Sequence, residues 1–352
     1  MPRYELDTPC VVIDLDVMER NIRTMQSYCD QHGLAFRPHI KTHKIPEIAH
    51  MQVRAGALGI TCQKIGEAEE MVAAGIRDVL IYYNIIGQSK LDRLMRLARR
   101  AHISVAIDHE TVLRGMGEAA EQADCRLGIY VDCDTGYHRT GVATPEAALA
   151  LAKMIAYYPN LEFLGLATFP LTEASGPWFE TAQTVFERAG VKIPGISGGS
   201  SAGPRIAHTV RGLTELRAGT YVFFDWSSVQ TGLVTLEECA ARVVTTVVNR
   251  PTDTIAIIDA GSKTLSSDFG YMKSGNGYGY IPEYPEAKIY SLSEEHGHVD
   301  FSACSSVPEI GEQVSVIPNH ICGTMNMHDE VVAVRNHRIE AVWRVSARGR
   351  VR

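Results

Sequence analysis

The sequence predicts an α/β fold in which a closed (β/α)8 TIM barrel spans residues 10–234. A β-strand domain follows over residues 235–352 and includes residues 1–9. Up to Gly195, short β-branched runs alternate with longer amphipathic segments, a pattern typical of parallel strands joined by right-handed helical crossovers. About eight such repeats favour closure into a barrel, and an open doubly wound sheet is the alternative. Beyond Thr235 the strands follow one another without intervening helices, which indicates the second domain.

The individual strands are predicted from runs of β-branched and other apolar residues bounded by glycine, proline or polar residues. After the first run, residues 17–32 have the apolar spacing of an amphipathic helix. The runs predicted as barrel strands are residues 11–15, 35–40, 59–62, 79–83, 103–107, 127–131, 163–168, 195–198 and 215–219. The strands of the β domain are predicted within ARVVTTVVNR, DTIAIIDAG, AKIYSLS, GEQVSVIPN, DEVVAVRN and RIEAVWRVSARG.

Composition narrows the class of partner. The chain has 352 residues, of which 45% are hydrophobic, and it carries a net charge of -7. Because no basic cluster offsets this charge, nucleic acid and anionic membranes are excluded as main partners, and a small metabolite is expected. The opening MPRYELDTPCVVIDLD has charges where a signal peptide needs its apolar stretch. We therefore expect a cytoplasmic protein, and its eight cysteines, which form no CxxC pair, to be reduced thiols.

Lysine 41 is the first candidate site residue, within Arg37-Pro38-His39-Ile40-Lys41-Thr42-His43-Lys44, because it follows the second predicted strand. In a barrel the chemistry lies at the carboxyl ends of the strands. Desolvation and the cations Arg37 and Lys44 would lower the pKa of Lys41 and make its amine nucleophilic. Such a lysine can form a Schiff base with pyridoxal 5′-phosphate (PLP), although a solvated loop lysine fits the octapeptide equally well.

Further polar residues follow other predicted strands and should converge on the same rim. Gln63 and Lys64 follow the third strand, and YVDCDTGYHRTGV places Asp132, Asp134, His138 and Arg139 after a later one. Arg139 could donate hydrogen bonds to a cofactor phenolate oxygen. The alternative for Arg139 is a salt bridge to Asp132 or Asp134.

The glycine-rich stretch 196–203 predicts a phosphate site, because barrels commonly build one from the backbone N–H groups and hydroxyls that follow a late strand. The next strand brings the hydroxyl of Tyr221 to the same neighbourhood. The residues expected to hold a phosphate are Ser197, Gly198, Gly199, Ser200 and Tyr221.

In the β domain, His320 and Cys322 lie two residues apart, so on an extended segment both side chains would point to one face. An imidazole and a thiolate together favour Zn²⁺ over harder cations such as Mn²⁺ or Mg²⁺, which remain possible. A core cysteine beside a hydrogen-bonded histidine is the ordinary alternative.

These motifs together resemble the D-threonine aldolase and D-serine dehydratase family of fold-type III, alanine racemase-like PLP enzymes. The resemblance covers nearly the whole chain. It runs through DTPCVVIDLD, RPHIKTHK, CQKIGEAEEMVAAGI, DTGYHRTGV, ISGGSS, ELRAGTYVFFD, IDAGSK, EEHG, PNHICGTMNMHDEVV and WRVSARGR. It implies PLP and a divalent metal as cofactors, and a homodimer acting on a small D-hydroxyamino acid.

The resemblance also implies residue roles. Lys41 would bind PLP covalently and act with His320 in catalysis, and His320 and Cys322 would ligate a metal that binds the substrate β-hydroxyl. The residues implied to hold the cofactor are Lys41, His39, Gln63, Arg139, Ser197, Gly198, Gly199, Ser200, Arg217 and Tyr221.

Within the family two reactions compete. An aldolase would cleave Cα–Cβ to give glycine and an aldehyde, whereas a dehydratase would give ammonia and a keto acid. Gln63-Lys64 and the closing SARGR resemble the aldolases, while the HxC pair resembles the dehydratases. Arg217 stands where aldolases often have glutamine, and the Phe169-Pro170 segment lacks a histidine common in the family. We expect aldolase chemistry, with dehydratase chemistry as the alternative.

Two further hypotheses carry less weight. A racemase needs a second acid or base on the opposite face of the cofactor, commonly a partner subunit's tyrosine in this fold, and no residue here clearly supplies it. A non-catalytic PLP carrier would not need the β domain with its His320 and Cys322 pair.

Overall fold

The computed structural model describes residues 6–200, 206–269 and 277–352. The chain forms two compact units. The first comprises residues 1–22, 42–45 and 220–349, and the second comprises residues 23–41, 46–219 and 350–352. Among the helices of the described ranges, none has the length and apolar character needed to cross a membrane.

The second unit is a parallel barrel. Its strands are β2 (Ala35–Phe36), β3 (Ile60–Cys62), β4 (Asp78–Ile81), β5 (His102–Ile107), β6 (Leu127–Cys133), β7 (Leu161–Thr168), β8 (Ile196–Gly199) and β9 (Glu215–Arg217). They pair in the order β2-β9-β8-β7-β6-β5-β4-β3. A parallel bridge between His39 and Thr61 joins the two ends of this order, which closes the barrel. The predicted α/β barrel is confirmed.

The helices of the barrel alternate with its strands. They are α1 (Leu15–Gln31), α2 (Pro46–Arg54), α3 (Ile65–Ala73), α4 (Gln88–Ala98), α5 (Glu110–Ala123), α6 (Pro145–Ile155) and α7 (Ser175–Arg188). Local sequence sets their bounds: the Thr144 hydroxyl accepts a hydrogen bond from the N–H of Ala147, which caps α6 ahead of a favourable proline at position 145. In α4 the buried residues Leu91, Leu94 and Met95 recur at helical spacing, so one face packs inward.

The first unit is built on a mixed sheet. Its strands are β1 (Cys10–Asp14), β10 (Ala241–Asn249), β11 (Ile255–Ile258), β12 (Lys288–Leu292), β13 (Gly297–Asp300), β14 (Gln313–Val316), β15 (Glu330–Arg335) and β16 (Arg338–Arg344). The order is β12-β13-β11-β10-β1-β15-β16, and β14 also pairs with β10. In the described part of this unit, the short α-helices that accompany the sheet are α8 (Trp226–Gln230), α9 (Ser262–Leu265) and α10 (Ile321–Met325).

The first predicted barrel strand belongs instead to this mixed sheet. Strand β1 pairs antiparallel with β10 and parallel with β15, and Val12 packs against Val244 and Val332. A run of consecutive buried β-branched residues suits a barrel strand and a central strand of a two-sided sheet equally, so the sequence could not distinguish them. The last and longest stretch of the first unit begins at residue 220. The predicted domain boundary between residues 234 and 235 stays a prediction.

Candidate active site

Lysine 41 follows β2 on a backbone segment that hydrogen-bonds to both of its neighbours. The N–H of His39 donates to the carbonyl of Ala218 (2.9 Å), and the N–H of Thr61 donates to the carbonyl of Pro38 (2.8 Å). A tight 3₁₀ turn, Ile40–Thr42, then begins and carries the lysine. The backbone that leads to Lys41 is therefore fixed on two sides.

His39 is buried and connects Lys41 to Gln63. Its Nδ1 accepts the N–H of Lys41 (3.3 Å), so Nε2 carries the proton and donates to the Gln63 side-chain oxygen (3.1 Å). The Gln63 amide nitrogen in turn donates to the carbonyl of Tyr82 (2.8 Å). The structure thus brings the predicted residues His39, Lys41 and Gln63 together.

Phe169 lies next to both predicted cations of the rim. The Lys41 Nζ is 4.9 Å from the centre of its ring, and the Arg139 guanidinium carbon is 4.6 Å from it. Cations are attracted to an aromatic face at this distance. Phe169 directly follows β7, so the strand end positions it.

A pocket of about 490 Å³ opens beside these residues. It is lined by Gln63, Tyr82, Tyr83, Asn84, Ile86, Ala106, Asp132, Arg139 and Thr140. Every lining residue comes from the end of a barrel strand or the loop that follows it. The pocket therefore lies where barrel enzymes carry their chemistry.

Asp132 is a buried carboxylate in the pocket wall. It accepts hydrogen bonds from the hydroxyls of Tyr82 and Thr140. Burial raises the pKa of Asp132, and these hydrogen bonds offset only part of that effect. Within the described residues Arg139 forms no ion pair with Asp132 or Asp134, so the salt-bridge alternative for Arg139 does not hold.

Asp134 and His138 pair with each other on the exposed loop and line no part of the pocket. Asp134 accepts the N–H groups of Gly136, Tyr137 and His138 and contacts the His138 ring. Burial alone would raise the pKa of Asp134, but these N–H donors outweigh it and hold the pKa below its usual range. This carboxylate shapes the loop that presents Arg139.

A hydrogen-bonded chain of buried charges crosses the barrel interior. The Arg37 Nε donates to Glu215 (2.8 Å), and the Ser197 hydroxyl donates to the other Glu215 oxygen (2.5 Å). Arg217 then donates to the Ser197 hydroxyl (2.9 Å) and to the carbonyl of Thr168 (2.7 Å). Its guanidinium carbon lies 3.9 Å from the Tyr82 ring centre, so the chain reaches the pocket wall.

The predicted phosphate residues are placed in part. The Ser197 hydroxyl is held in the interior chain, and the N–H of Ser200 donates to the carbonyl of Arg217 (3.0 Å). At Gly199 a Cβ atom would lie 3.1 Å from both Arg217 and Phe169, so only glycine fits without displacing them. Residues 201–203 lie outside the described ranges. The phosphate role of residues 197–200 stays a prediction.

Tyr221 belongs to the first unit. It lies in the 3₁₀ turn Thr220–Val222 and is fully buried. The preceding strand, β9, ends at Arg217 rather than running on to Gly219. The predicted phosphate role of Tyr221 stays a prediction.

His320 and Cys322, also in the first unit, meet at the start of α10. His320 is the extended N-cap residue and Cys322 lies in the first helical turn, so the segment is not the extended one predicted. Their side chains nevertheless lie close enough for Cys322 to raise the pKa of His320. The Cys322 sulfur lies 3.3 Å from the Thr42 hydroxyl and 3.9 Å from that of Thr220.

Two carboxylates accompany His320. Its Nδ1 lies 3.1 Å from Asp268, and Asp225 caps α8 while accepting the N–H of Ile321. Burial alone would lower the pKa of His320, but Cys322, Asp225 and Asp268 outweigh it and raise the pKa to about 9. Within the described ranges no three His, Cys, Asp or Glu side chains converge as metal ligands, so this pair would supply two protein ligands.

Some residues of the candidate site were missed from the sequence. Tyr82 and Thr140 line the pocket, and Asp225 and Asp268 flank His320. Tyr82 lies within the predicted strand 79–83, but the observed strand β4 ends at Ile81, so Tyr82 is the first residue after it. Asp225 stands three residues before Ser228, which is the spacing of a helix cap and gave no hint of a partner at His320.

Comparisons with known proteins place this geometry in a family. The alanine racemase N-terminal domain matches residues 13–226, and a putative serine dehydratase domain matches residues 240–334. The chain belongs to the D-threonine aldolase and D-serine dehydratase family of fold-type III, alanine racemase-like enzymes. This confirms the resemblance seen in the motifs.

Curated relatives and solved structures share the full length. A D-threonine aldolase of an Arthrobacter species is 33% identical over 99% of this chain and 94% of the relative. A 3-hydroxy-D-aspartate aldolase of Paracoccus denitrificans is 31% identical with the same coverage. A D-threo-3-hydroxyaspartate dehydratase of a Delftia species is 31% identical over 91% of this chain and 92% of the relative.

The fold comparison agrees. The crystal structure of D-threonine aldolase from Filomicrobium marinum superposes with a TM-score of 0.91 at 29% identity, covering 99% of this chain and 97% of that one. Aldolases and dehydratases are both lyases, so the chain is a member of a family of PLP-dependent lyases.

We expect Glu215→Ala to destabilise the protein by about 3 kcal/mol, because it removes one of the two carboxylates that pair with the buried Arg37, the other being Asp78, and leaves the Ser197 hydroxyl without its acceptor. Urea denaturation measures the change. Glu309→Ala is the matched control, since Glu309 is 81% exposed and pairs with Arg250 at the surface. It should cost less than about 1 kcal/mol. Equal small effects of both substitutions would contradict the interior role of Glu215.

Proposed function

We propose that this protein is a PLP- and divalent-metal-dependent lyase that cleaves D-β-hydroxy-α-amino acids to glycine and an aldehyde, as a D-threonine aldolase does. The observation that carries the proposal is the position of Lys41, fixed at the mouth of the barrel beside His39, Gln63 and the Phe169–Arg139 pair. The aldolase names of two full-length relatives support the choice of reaction.

The residues of the barrel fit PLP. The pocket has room for a pyridine ring, and its wall contains the aromatic ring of Tyr82. Two of its lining residues, Gln63 and Arg139, are linked to Lys41 through His39 and Phe169. Gly198 and Gly199 leave the end of β8 without side chains, and at both positions a Cβ atom would lie within about 3 Å of neighbouring atoms. A backbone stripped of side chains suits the close approach of a phosphate.

PLP, when bound, supplies an electron sink for bond cleavage at the substrate α-carbon. The residues do the rest. Lys41 would hold the cofactor through its amine and exchange a proton with the substrate. Arg139, which is exposed and rests on Phe169, would donate hydrogen bonds to a ring oxygen. The guanidinium of Arg217 has N–H donors and no acceptor, so it would donate hydrogen bonds to the cofactor.

The donor set of His320 and Cys322 fits a metal. A neutral imidazole and a thiolate favour Zn²⁺, with Mn²⁺ or Mg²⁺ possible where water and substrate oxygens complete the coordination. A divalent metal there would act as a Lewis acid toward a hydroxyl oxygen. The hydroxyls of Thr42 and Thr220 near the sulfur would orient the thiolate.

A D-serine or D-threo-3-hydroxyaspartate dehydratase is the second candidate. The serine dehydratase domain match over residues 240–334 favours it, as does the full-length dehydratase relative. Lys41 would then remove the α-proton, and a metal held by His320 and Cys322 would supply Lewis-acid chemistry at the hydroxyl oxygen. In either case the substrate is a small D-hydroxyamino acid, and by resemblance to the family we also propose a homodimer.

Lys41→Ala should abolish covalent retention of PLP. The unsubstituted protein incubated with PLP should hold a visible absorbance band through gel filtration, and borohydride should fix the cofactor on the peptide that contains Lys41. Lys153→Ala is the control, because Lys153 is an exposed residue of α6. Mass spectrometry that finds the cofactor on another lysine would overturn the assignment.

Chelation should remove activity, and added Zn²⁺ or Mn²⁺ should restore it. Cys322→Asp should shift the preferred metal toward harder cations, because carboxylate oxygen replaces thiolate sulfur. Metal titrations of activity measure the shift. Cys304→Asp, away from His320 in the β domain, should leave the preference unchanged. Full activity of a protein shown to be metal-free would refute the role of the pair.

Product analysis decides between the two reactions. We expect D-threonine and D-phenylserine to give glycine and an aldehyde, measured by chromatography and aldehyde derivatisation. Ammonia and a keto acid from D-serine or D-threo-3-hydroxyaspartate, without glycine, would establish the dehydratase instead. Formation of the L-enantiomer alone would reject both lyases in favour of a racemase.

A further inference from the structure

Residues 350–352 dock on α3 and are part of the barrel unit. The backbone carbonyl of Arg352 accepts the N–H of Gly66 (3.1 Å) and an N–H of Arg93 (3.2 Å). The Arg350 guanidinium pairs with Glu70 (2.5 Å). These residues therefore contact the first turn and the middle of α3 and also a side chain of α4.

Gly66 is the point of closest approach. A Cβ atom at this position would lie 2.7 Å from the Arg352 carbonyl oxygen and 3.1 Å from the Arg350 Cβ. Gly66 lies inside α3, where alanine is a much better helix former than glycine. Gly66 is not among the described glycines with a positive φ, so its backbone conformation does not require glycine. The lack of room for a side chain beside Arg352 and Arg350 explains it instead. The glycine makes room for residues 350–352.

The turn that residues 350–352 contact also carries the cofactor-site residue Gln63. The Glu67 carboxylate accepts the N–H of Gln63 (2.6 Å) and that of Lys64 (3.2 Å). The N–H groups at the start of a helix lack helical partners. Here Glu67 satisfies two donors that precede the helix, and Arg352 satisfies that of Gly66. The backbone of residues 63–66 is thus held by the Glu67 side chain within α3 and by the Arg352 carbonyl, which comes from the far end of the sequence.

A second connection runs through Arg93. Its guanidinium forms a two-point pair with Glu69 of α3 (2.8 and 2.7 Å) while it donates to the Arg352 carbonyl. The two-point geometry orients the guanidinium. The Arg93 side chain of α4 therefore connects residues 350–352 to Glu69 of α3, so that the two helices and residues 350–352 are joined at one guanidinium.

We propose that Arg350 and Arg352 are positioning residues for the cofactor site: docked on α3, they hold the turn that places Gln63 against His39. This rests on the proposed function, in which the barrel binds PLP beside His39 and Gln63. Neither residue touches the pocket, and each acts through α3. Loss of the docking would loosen Gln63 and weaken PLP binding without removing Lys41.

Two variants test the proposal. Gly66→Ala places a methyl group where the Arg352 carbonyl lies, and it also improves helix propensity. If only the stability of α3 mattered, this substitution would therefore not increase the mobility of residues 63–67. Deletion of residues 350–352 removes the docking directly. Arg348→Ala is the control, because Arg348 pairs with Asp329 and not with α3.

Hydrogen exchange and PLP titration are the two measurements. In protein without PLP, the amides of residues 63–67 should exchange faster in both variants than in the control. The dissociation constant of PLP, followed by absorbance, should rise about three- to tenfold in both variants. Unchanged exchange or unchanged PLP affinity in both variants would overturn the proposal.

The outcome separates this inference from the proposed function. If the unsubstituted protein and all variants alike bind no PLP, the proposed function fails and the positioning role for the cofactor fails with it. If the unsubstituted protein binds PLP and both variants bind it equally well, the positioning role alone is refuted.

Discussion

The closure of the barrel at residues 37–39 is the constraint on which the candidate site depends. This segment hydrogen-bonds on one side to the strand before it in the barrel and on the other side to the strand after it. Backbone hydrogen bonds on both sides fix the position of residues 37–39, and the turn Ile40–Thr42 that follows them carries Lys41. The pairing of parallel strands thus fixes the backbone from which the Lys41 side chain extends.

The buried charged residues of the barrel interior also contact the wall of the candidate pocket. Arg37, Glu215, Ser197 and Arg217 form one chain of hydrogen bonds through an interior that also contains apolar side chains such as Leu80, Ala106 and Ala167. Buried charges are tolerated when each has a partner. The chain ends against Tyr82, whose hydroxyl holds Asp132 in the pocket wall. The buried hydrogen-bond chain therefore helps to position two residues of the pocket wall, Tyr82 and Asp132.

Much of this could be predicted from the sequence, because the signals were periodic or local. The alternation of strands and helices predicted the barrel, and the position of Lys41 directly after a strand predicted that it lies at the carboxyl end of the barrel. The placement of β1 could not be predicted, since Val11, Val12 and Ile13 would be buried in either sheet. Nor could the partners of Ser197 and Asp132, which come from strands far along the chain. The meeting of His320 and Cys322 was expected, but a helix start rather than a strand produces it.

A crystal structure of the protein grown with PLP tests the central claim most directly. We expect continuous electron density between the Lys41 Nζ and the cofactor, with the pyridine ring in the pocket bounded by Tyr82 and Arg139. Density for PLP elsewhere on the chain, or a Lys41 side chain directed away from a cofactor bound in that pocket, would contradict the account.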